Sequence, residues 1–290
     1  MPYQSIYKPG LFAGQTVIVT GGGSGIGRCT AHELASLGAH VALVGRTPEK
    51  LEAVRAEIEA DGGSASAHPC DIRDETQVAA TVDAVLALRG RIHGLVNNAG
   101  GQFRAPMETI STKGFEAVVR NNLTGTFIFM REAYNRCMKD HGGAIVNIIA
   151  DIWHGWPDFA HSGASRGGTL VMSETAACEW ATAGVRVNCV APGGIASSGF
   201  DRYPPEAKAK ILEFPPTVPL QRFGTESEVA SAIVYLLSPA AAYITGSCVR
   251  VDGGTPNNRS SYWKIAGTSR SEPFNGFHRS VTPELLRKGS

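Results

Sequence analysis

The amino-acid sequence predicts a doubly wound α/β fold in a single domain, and two observations carry that prediction. Short apolar runs such as QTVIVTG, HVALVGR and GVRVNCVAPG alternate with segments of helical period such as RCTAHELASLG and PEKLEAVRAEIEADG. This alternation indicates β-α-β units, whose strands pair in parallel with helices on both faces of the sheet. No internal repeat or linker rich in glycine and serine interrupts the pattern, so we expect one continuous sheet.

Composition and charge narrow the partners that the chain is expected to have. Of its 290 residues, 43% are hydrophobic and 18% are charged, which supplies enough apolar material for a buried sheet. The 27 basic and 26 acidic residues leave a net charge of +1 without a long run of one sign. We therefore predict a small-molecule substrate and no nucleic-acid or membrane partner. The six cysteines lack metal-ligand spacing and the chain begins with a polar segment, so we predict no metal site and a cytoplasmic location.

A glycine-rich turn follows the first strand and opens the first helix. It runs from Gly21 to Gly27 and reads GGGSGIG. Glycines let the backbone turn tightly and approach a pyrophosphate, whose charge is stabilised by the free N–H groups at the start of the helix. Together with NNAG at residues 97–100, this turn predicts a Rossmann-type dinucleotide site rather than a simple tight turn.

The end of the second strand indicates which dinucleotide binds. An acidic residue about twenty positions past the glycines holds the ribose 2′-hydroxyl of NAD, but Gly45 and then Arg46 stand there. A guanidinium binds a 2′-phosphate in a forked geometry, so Arg46 favours NADP(H); the alternative is a solvated surface cation. Asp71, after the third strand, is expected to accept a hydrogen bond from the adenine amine or to cap the next helix.

The strand patterns also set the expected domain organisation. They continue to about residue 252, so we assign residues 1–254 to a dinucleotide-binding catalytic domain. The proline-rich segment near residues 194–222 is expected to be a substrate lid, because long insertions at the carboxyl end of a strand commonly cover ligands. Residues 255–290 have little apolar periodicity and are predicted to form a C-terminal tail that wraps the surface or a neighbouring subunit.

The motifs TGGGSGIG, NNAG, NNLTG, IVNI and VRVNCVAPGGI occur in this order within residues 11–254, and this region resembles the short-chain dehydrogenase/reductase superfamily. The stretches NNAGGQF, HSGASRGG and EWATAGVRVNCVAPG are similar to the peroxisomal trans-2-enoyl-CoA reductases and, more distantly, to the 2,4-dienoyl-CoA reductases. The resemblance implies NADP(H), an acyl-CoA substrate, a homo-oligomer that is usually a tetramer, and a catalytic role for Asn122. It implies cofactor contacts at these positions: Gly21, Ser24, Gly25, Ile26, Gly27, Arg46, Asp71, Asn98, Gly100, Gly193, Ile195 and Ser197.

The chain departs from the superfamily at the residues that usually transfer the proton. Ser162 and Arg166 occupy the two places of the YxxxK motif, and Ile149 or Ala150 replaces the usual serine. None of the seven tyrosines has a lysine four residues on, and none lies between residues 135 and 202. The 2,4-dienoyl-CoA reductases are the better template, because they also have serine at the tyrosine position, a lysine four residues on and a tyrosine on the preceding loop. On that template Arg166 replaces the lysine, and Asp151 falls at or next to the tyrosine.

These departures favour reduction of a carbon–carbon double bond over reduction of a ketone. Ketone reduction needs a proton on the oxygen, which the Tyr/Lys pair supplies. In an enoyl thioester, hydride goes to the β-carbon and negative charge collects on the thioester oxygen, where hydrogen-bond donors stabilise it. Ser162 and Asn122 are expected to donate to that oxygen, while Arg166 holds the nicotinamide ribose and adds positive charge.

Three titratable side chains near the altered motif are candidate proton donors: Asp151, His154 and His161. The alternatives are a helix or loop cap for the aspartate and ordinary packing for either histidine. Four aromatic side chains are expected either to line an acyl-chain tunnel or to pack in the core: Phe103, Trp153, Trp156 and Phe159.

The sequence therefore predicts an NADPH-dependent oxidoreductase that reduces the C=C bond of 2-enoyl-CoA substrates. One alternative is a short-chain alcohol or carbonyl dehydrogenase of a terpenoid or fatty substrate, against which the missing Tyr/Lys pair counts. The other is a catalytically silent NADP(H)-binding sensor or scaffold, which predicts tight binding without turnover.

Overall fold

The computed structural model of the chain describes residues 2–202, 208, 211–258 and 264–287, and a seven-stranded sheet lies at its centre. The strands are β1 Thr16–Thr20, β2 His40–Gly45, β3 Ser64–Pro69, β4 Gly94–Asn97, β5 Gly143–Ile148, β6 Val185–Pro192, β7 Ile195–Ala196, β8 Gly224–Thr225 and β9 Cys248–Val251. The sheet order is β3-β2-β1-β4-β5-β6-β9, and β7 pairs with β8 separately. All of these pairs are parallel, which confirms the predicted doubly wound α/β fold.

Helices connect the strands and cover both faces of the sheet. Those among the described residues are α1 Gly25–Ser36, α2 Pro48–Ala60, α3 Glu75–Arg89, α4 Thr112–Val119, α5 Gly125–Ala133, α6 Lys139–His141, α7 Ala160–Glu179 and α8 Glu226–Leu237. A π-helical turn over Arg120–Thr124 joins α4 to α5, and a second over Tyr134–Met138 joins α5 to α6. Within these described ranges, no helix combines the length and hydropathy required to cross a bilayer.

The side chains of the central strand alternate between two apolar layers. Val17 and Val19 of β1 belong to a buried cluster that also contains residues of α1, α2 and α8. Ile18 belongs to a second cluster, on the other face, with residues of α3, α5 and α7. Every residue of β1 is buried, as expected for a strand of a parallel sheet that is covered by helices on both sides.

The described part of the C-terminal segment packs on the surface of its own chain. Phe277 is 2% exposed and contacts Tyr3 and Cys29, with the Arg28 guanidinium 4.9 Å from its ring centroid. Arg279 forms an ion pair of 2.8 Å with the carboxylate of Asp61. Apolar burial and ion pairing therefore hold this segment against α1 and α2. Residues 203–207 and 209–210 of the predicted lid, and residues 259–263 and 288–290 of the predicted tail, lie outside the described residues.

We expect Phe277→Ala to lower the free energy of unfolding by about 3–5 kcal/mol, because it removes a fully buried aromatic side chain and leaves a cavity. Chemical denaturation measures this change. Val281→Ala is the matched control, since Val281 lies on the same segment with 55% of its surface exposed, and we expect it to change stability by less than about 0.5 kcal/mol. Equal effects of the two substitutions would mean that the tail is not anchored by Phe277.

Candidate active site

The turn after β1 is built around two glycines that approach each other closely. Gly21 has a φ of +67°, a left-handed conformation that favours glycine. Gly27, in the first turn of α1, lies so close to Gly21 that a Cβ atom on Gly27 would stand 2.4 Å from the Gly21 carbonyl oxygen. The absence of side chains at these two positions thus lets α1 begin directly against the turn.

Polar side chains of β1 and β4 hold this turn in place. Asn98 Nδ2 donates to the backbone oxygens of Thr20, at 3.0 Å, and Gly21, at 3.4 Å. In return, Thr20 Oγ1 accepts from the backbone N–H groups of Asn98 and Ala99, both at 3.0 Å. The NNAG motif is therefore hydrogen-bonded to the glycine-rich turn, and the Asn98 amide fixes the orientation of two carbonyl groups at its start.

The start of α1 is suited to bind an anion. Ser24 is the N-cap residue, but its side chain makes no capping hydrogen bond, and the first turn contains no acidic residue. The backbone N–H groups in the first turn of α1, at the positive end of the helix dipole, are thus available to bind a pyrophosphate. Gly25 completes the turn with a φ of +57°.

Arg46, after β2, and Asp71, after β3, lie near each other at the carboxyl edge of the sheet. The adenosine half of a dinucleotide would lie at this edge. Arg46 follows β2 and forms no hydrogen bond or ion pair with any residue that the structure describes. Asp71 instead pairs with Arg73 at 2.5 Å. This hydrogen-bonded pairing, together with the charge of nearby Arg46, lowers the pKa of Asp71 to about 2. The interpretation of Asp71 as the cap of α3 is wrong, because Asp74 is the N-cap residue and accepts from the backbone of Thr76 and Gln77.

A cavity of about 1170 Å³ opens beside the turn, at the carboxyl ends of β4, β5 and β6. Six of the residues predicted to contact the cofactor line it: Ile26, Asn98, Gly100, Gly193, Ile195 and Ser197. Both aliphatic and aromatic side chains form its apolar wall, and the aromatic ones are Trp153, Trp156, Phe159, Phe200, Phe214 and Phe223. Of the aromatic residues predicted for a tunnel, Phe103 differs, since it packs edge-on against His161 with the ring centroids 4.3 Å apart.

Arg166 places a buried cation in the wall of this cavity. Its residue is 8% exposed, and its Nη1 donates to the Ile148 carbonyl oxygen at 2.6 Å while its Nε has no hydrogen-bond partner. No carboxylate of the described ranges forms an ion pair with it. Burial lowers the pKa of Arg166 to about 10, which still leaves it protonated at neutral pH. Gly100 allows its approach, because a Cβ on Gly100 would stand 2.4 Å from Arg166 Nη2.

Ser162 acts on the cavity through a neighbour rather than directly. It is fully buried on α7, and its Oγ donates to Gln102 Oε1 at 2.6 Å. Gln102 itself lines the cavity, and this hydrogen bond leaves its Nε2 group to donate elsewhere. The Ser162 hydroxyl was expected from the sequence to donate to a substrate oxygen, but in the structure it donates to Gln102 instead.

Asn122 also lies behind the cavity wall, where it contacts the lining residue Gly101. It lies in the π-helical turn between α4 and α5 and is fully buried. Its Oδ1 accepts from the Gly101 backbone N–H at 2.9 Å, and its Nδ2 donates to Ser165 Oγ at 3.4 Å. Asn122 thereby holds the loop at Gly101 instead of reaching a substrate oxygen, which differs from the sequence expectation.

Of the three candidate proton donors, Asp151 and His154 line the cavity. Burial, and then the charge of Asp252, raises the pKa of Asp151, which favours its protonated form. His161 is fully buried, and burial lowers its pKa. The interpretation of Asp151 as a helix cap is wrong, because Phe159 is the N-cap residue of α7.

Sequence reasoning missed three polar residues that organise the site: Thr20, Gln102 and Ser165. Gln102 had a usable signal, since it directly follows NNAGG at the carboxyl end of β4. Thr20 and Ser165 have no sequence signal of their own. Their importance follows only from the structure, in which Thr20 contacts Asn98 and Ser165 contacts Asn122. In the part of the chain that the structure describes, no group of three or more His, Cys, Asp or Glu side chains is arranged to hold a metal ion.

Known proteins resemble this chain over most of its length. Residues 21–256 match the family model described as enoyl-(acyl carrier protein) reductase. The peroxisomal 2,4-dienoyl-CoA reductase of Danio rerio is 36% identical over 254 residues, which are 87% of this chain and 85% of that protein. Among solved structures, the citronellol catabolism dehydrogenase AtuB of Pseudomonas aeruginosa PAO1 is 56% identical, with a TM-score of 0.79, and the match covers 88% of this chain and all of that one. A putative NAD(P)-dependent gluconate 5-dehydrogenase of Beutenbergia cavernae with bound NADP is 36% identical, with a TM-score of 0.79 over 87% of this chain and all of that one.

We expect Gly27→Ala to weaken the binding of a reduced nicotinamide dinucleotide about tenfold or more, because the added methyl group must displace the Gly21 carbonyl at a cost of about 1–3 kcal/mol. Titration followed by cofactor fluorescence measures the dissociation constant. Gly167→Ala is the matched control in another helix, since the nearest atom to its Cβ would be Ile152 Cδ1 at 3.9 Å. If both variants bind the dinucleotide as the original chain does, the close approach at Gly27 is not needed for cofactor binding.

Proposed function

The chain belongs to the short-chain dehydrogenase/reductase family, and from this premise we propose that it is an NADPH-dependent reductase of the C=C bond in 2-enoyl-CoA or closely related unsaturated acyl-CoA thioesters. The observation that carries the proposal is the buried guanidinium of Arg166, which stands without a carboxylate partner in the described ranges where the YxxxK motif would have lysine. No tyrosine accompanies it between residues 135 and 202. Among the described residues, which do not include Tyr203 and Tyr262, the site thus offers positive charge but not the phenol that ketone reduction requires.

The proposed cofactor is NADP(H). The glycine-rich turn leaves space for a pyrophosphate at the start of α1, and Arg46 offers a guanidinium without a fixed partner in the described part of the chain. Such a group binds a 2′-phosphate by charge-assisted hydrogen bonds. When bound, the reduced nicotinamide supplies the hydride.

The side chains around the cavity divide the remaining tasks. Arg166 stabilises negative charge that develops on the thioester oxygen, and its effect is strong because the site is buried. Gln102, which also lines the cavity, donates a second hydrogen bond and is oriented by Ser162. Asp151 supplies the proton to the α-carbon. The aromatic wall accepts the acyl chain, since it offers a large apolar surface within a cavity of about 1170 Å³.

A second candidate function is oxidation or reduction of a terpenoid alcohol or carbonyl. The observation that favours it is the 56% identity to AtuB, which is named a citronellol catabolism dehydrogenase. The composition of the site counts against it, since neither Ser162 nor Arg166 replaces the phenol that exchanges a proton with an alcohol oxygen. A silent NADP(H)-binding sensor is the remaining alternative. A homo-oligomer, usually a tetramer in the family, and a cytoplasmic location complete the proposal as predictions.

We expect NADPH oxidation with trans-2-enoyl-CoA or 2,4-dienoyl-CoA substrates, and neither NADPH oxidation with ketones nor NADP⁺ reduction with citronellol. Arg166→Ala should lower kcat about 10²-fold or more, because it removes the charge that stabilises the developing oxyanion. Arg166→Lys should retain more activity, since it keeps the charge. NADPH absorbance measures all of these rates.

Arg55→Ala is the control, because it removes a half-exposed arginine of α2 whose ion pairs, within the described part of the chain, are with Glu52 and Glu59 of its own helix. Turnover of citronellol or a ketone in preference to the thioesters would favour the second candidate. Tight NADPH binding without turnover of any substrate would favour the sensor.

We expect Arg46→Ala to weaken NADPH binding about 10–100-fold while NADH binding stays the same, because only NADPH carries the 2′-phosphate and a hydrogen bond to a charged group contributes about 1.5–3 kcal/mol. Isothermal titration with each cofactor measures the two affinities, again with Arg55→Ala as the control. An equal loss for NADPH and NADH would contradict the proposed role of Arg46.

A further inference from the structure

The carboxyl group of Glu226 lies between the two segments that are proposed to contact the cofactor, the glycine-rich turn and residues 193–197. Strand β8 pairs with β7, with Thr225 opposite Ala196, and the next residue along the chain, Glu226, begins α8. From there its side chain faces the glycine-rich turn, since a Cβ on Gly25 would stand 3.8 Å from Glu226 Oε1. An acidic side chain of α8 thus reaches the start of α1, whose own first turn contains no acidic residue.

Glu226 lacks a partner that would neutralise its charge. Its carboxyl group forms no hydrogen bond or ion pair with any residue that the structure describes. Arg28 of α1 is the cation that acts on it, but the Arg28 guanidinium is held by Glu57 of α2 in a forked pair with distances of 2.8 and 2.9 Å. Arg28 Nη1 also donates to the Arg279 carbonyl oxygen at 3.2 Å. Most of the positive charge of Arg28 is therefore offset by Glu57 rather than by Glu226.

Other titratable side chains on α1, in the first turn of α8 and on the C-terminal segment are engaged with partners of their own. These pairs are Cys29 with Ser227, His32 with Glu57, Glu33 with Ser5, Glu228 with Arg222, and His278 and Arg279 with Asp61. Glu226 differs from them, because it is an acid at the start of α1 whose charge the described residues leave without a counterion.

We propose that Glu226 takes up a proton when the dinucleotide binds, so that the cofactor is held while this carboxyl group is neutral. The inference deepens the proposed function and rests on its choice of cofactor. A diphosphate at the start of α1 is negatively charged, and an ionised carboxylate beside the same helix start repels it. Protonation removes the repulsion and gives the Glu226 side chain an O–H group that donates hydrogen bonds. The proton comes from water, and no other covalent bond changes.

The ionisation of Glu226 in the free protein places this linkage near neutral pH. Burial raises the pKa of Glu226 to about 7, although the charge of Arg28 acts in the opposite direction. The positive end of the α8 dipole also favours the ionised form. Both forms of the carboxyl group are therefore populated around neutral pH, and a bound anion shifts this balance toward the protonated form.

The sign of the pH dependence follows from that shift. A bound diphosphate raises the pKa of Glu226 above its value in the free protein, so binding takes up a proton at any pH between the two values. As the pH rises above about 7, the free protein becomes ionised, and the dissociation constant increases by up to about tenfold per pH unit. Below about pH 6 the carboxyl group is already protonated before binding, and this dependence disappears.

Isothermal titration calorimetry of the full-length protein with NADPH tests the inference without any turnover. Titrations in two buffers that differ in ionisation enthalpy give the number of protons taken up. A pH of about 8.5 is suitable, because the 2′-phosphate, with a pKa of about 6, stays ionised there. We expect an uptake that approaches one proton per NADPH in the original chain. NADH, which has the same diphosphate and no 2′-phosphate, should show the same uptake.

Glu226→Gln is the test variant, because its side-chain amide is neutral at every pH. It should bind NADPH without proton uptake and, at about pH 8.5, about tenfold or more tightly than the original chain, while the two affinities converge near pH 6. Glu179→Gln is the matched control, since Glu179 is the exposed last residue of the helix that leads into the amino end of β6. It should take up protons as the original chain does.

The possible results separate the inference from the proposed function. An uptake near zero in the original chain overturns the inference, and so does an equal uptake in the original chain and in Glu226→Gln. Uptake with NADPH but not with NADH assigns the proton to the 2′-phosphate and overturns it as well. The expected uptake in a protein that reduces no thioester contradicts the proposed reaction and leaves the proton linkage in place. If neither dinucleotide binds, the proposed cofactor and the inference both fail.

Discussion

The parallel pairing of β1 with β2 on one side and β4 on the other decides where this protein binds a dinucleotide. The chain leaves β1 toward β2 and β3, and later returns to the opposite side through β4. The loops that follow these strands therefore diverge and leave a crevice at the carboxyl edge. Close packing at that crevice is possible only because Gly21 and Gly27 lack side chains. The start of α1, the hydrogen bonds of NNAG and the cavity all lie at this crevice. They therefore depend on the pairing of β1 with β2 on one side and with β4 on the other.

Arg166 imposes the second constraint, since a buried cation without a carboxylate is unfavourable unless something else stabilises it. The Ile148 carbonyl provides one hydrogen bond, but Nε has none. The positive charge of Arg166 is not neutralised by a carboxylate of the described residues. It is therefore available to stabilise a negative charge that forms only during a reaction. In the proposed reaction, the same buried charge that reduces stability in the resting protein would stabilise the enolate as it develops.

The fold and the nucleotide turn were predictable because their signals are local. The apolar period of each strand and the spacing of the glycines from Gly21 to Gly27 are contained in short windows. The orientation of the catalytic candidates was not predictable, because it depends on distant partners. Ser162 meets Gln102 across 60 positions, and Asn122 meets Ser165 across 43. A sequence reveals that a serine and an asparagine are present, but only the packing of α7 against the loop after β4 determines that their polar atoms are occupied.

Loss of the phenol changes what the rest of the site has to supply. In the Tyr/Lys arrangement one group both binds the oxygen and delivers the proton, so charge stabilisation and acid catalysis are linked. In the proposed reaction the two tasks are separated in space, because the cation would come from Arg166 of α7 and the acid from Asp151 in the loop after β5. An arginine does not release a proton at physiological pH, so it cannot take over the second task. A carboxylic acid can, provided that its pKa is raised, and burial beside another carboxylate is a way to raise it without placing a further cation or a metal in the site.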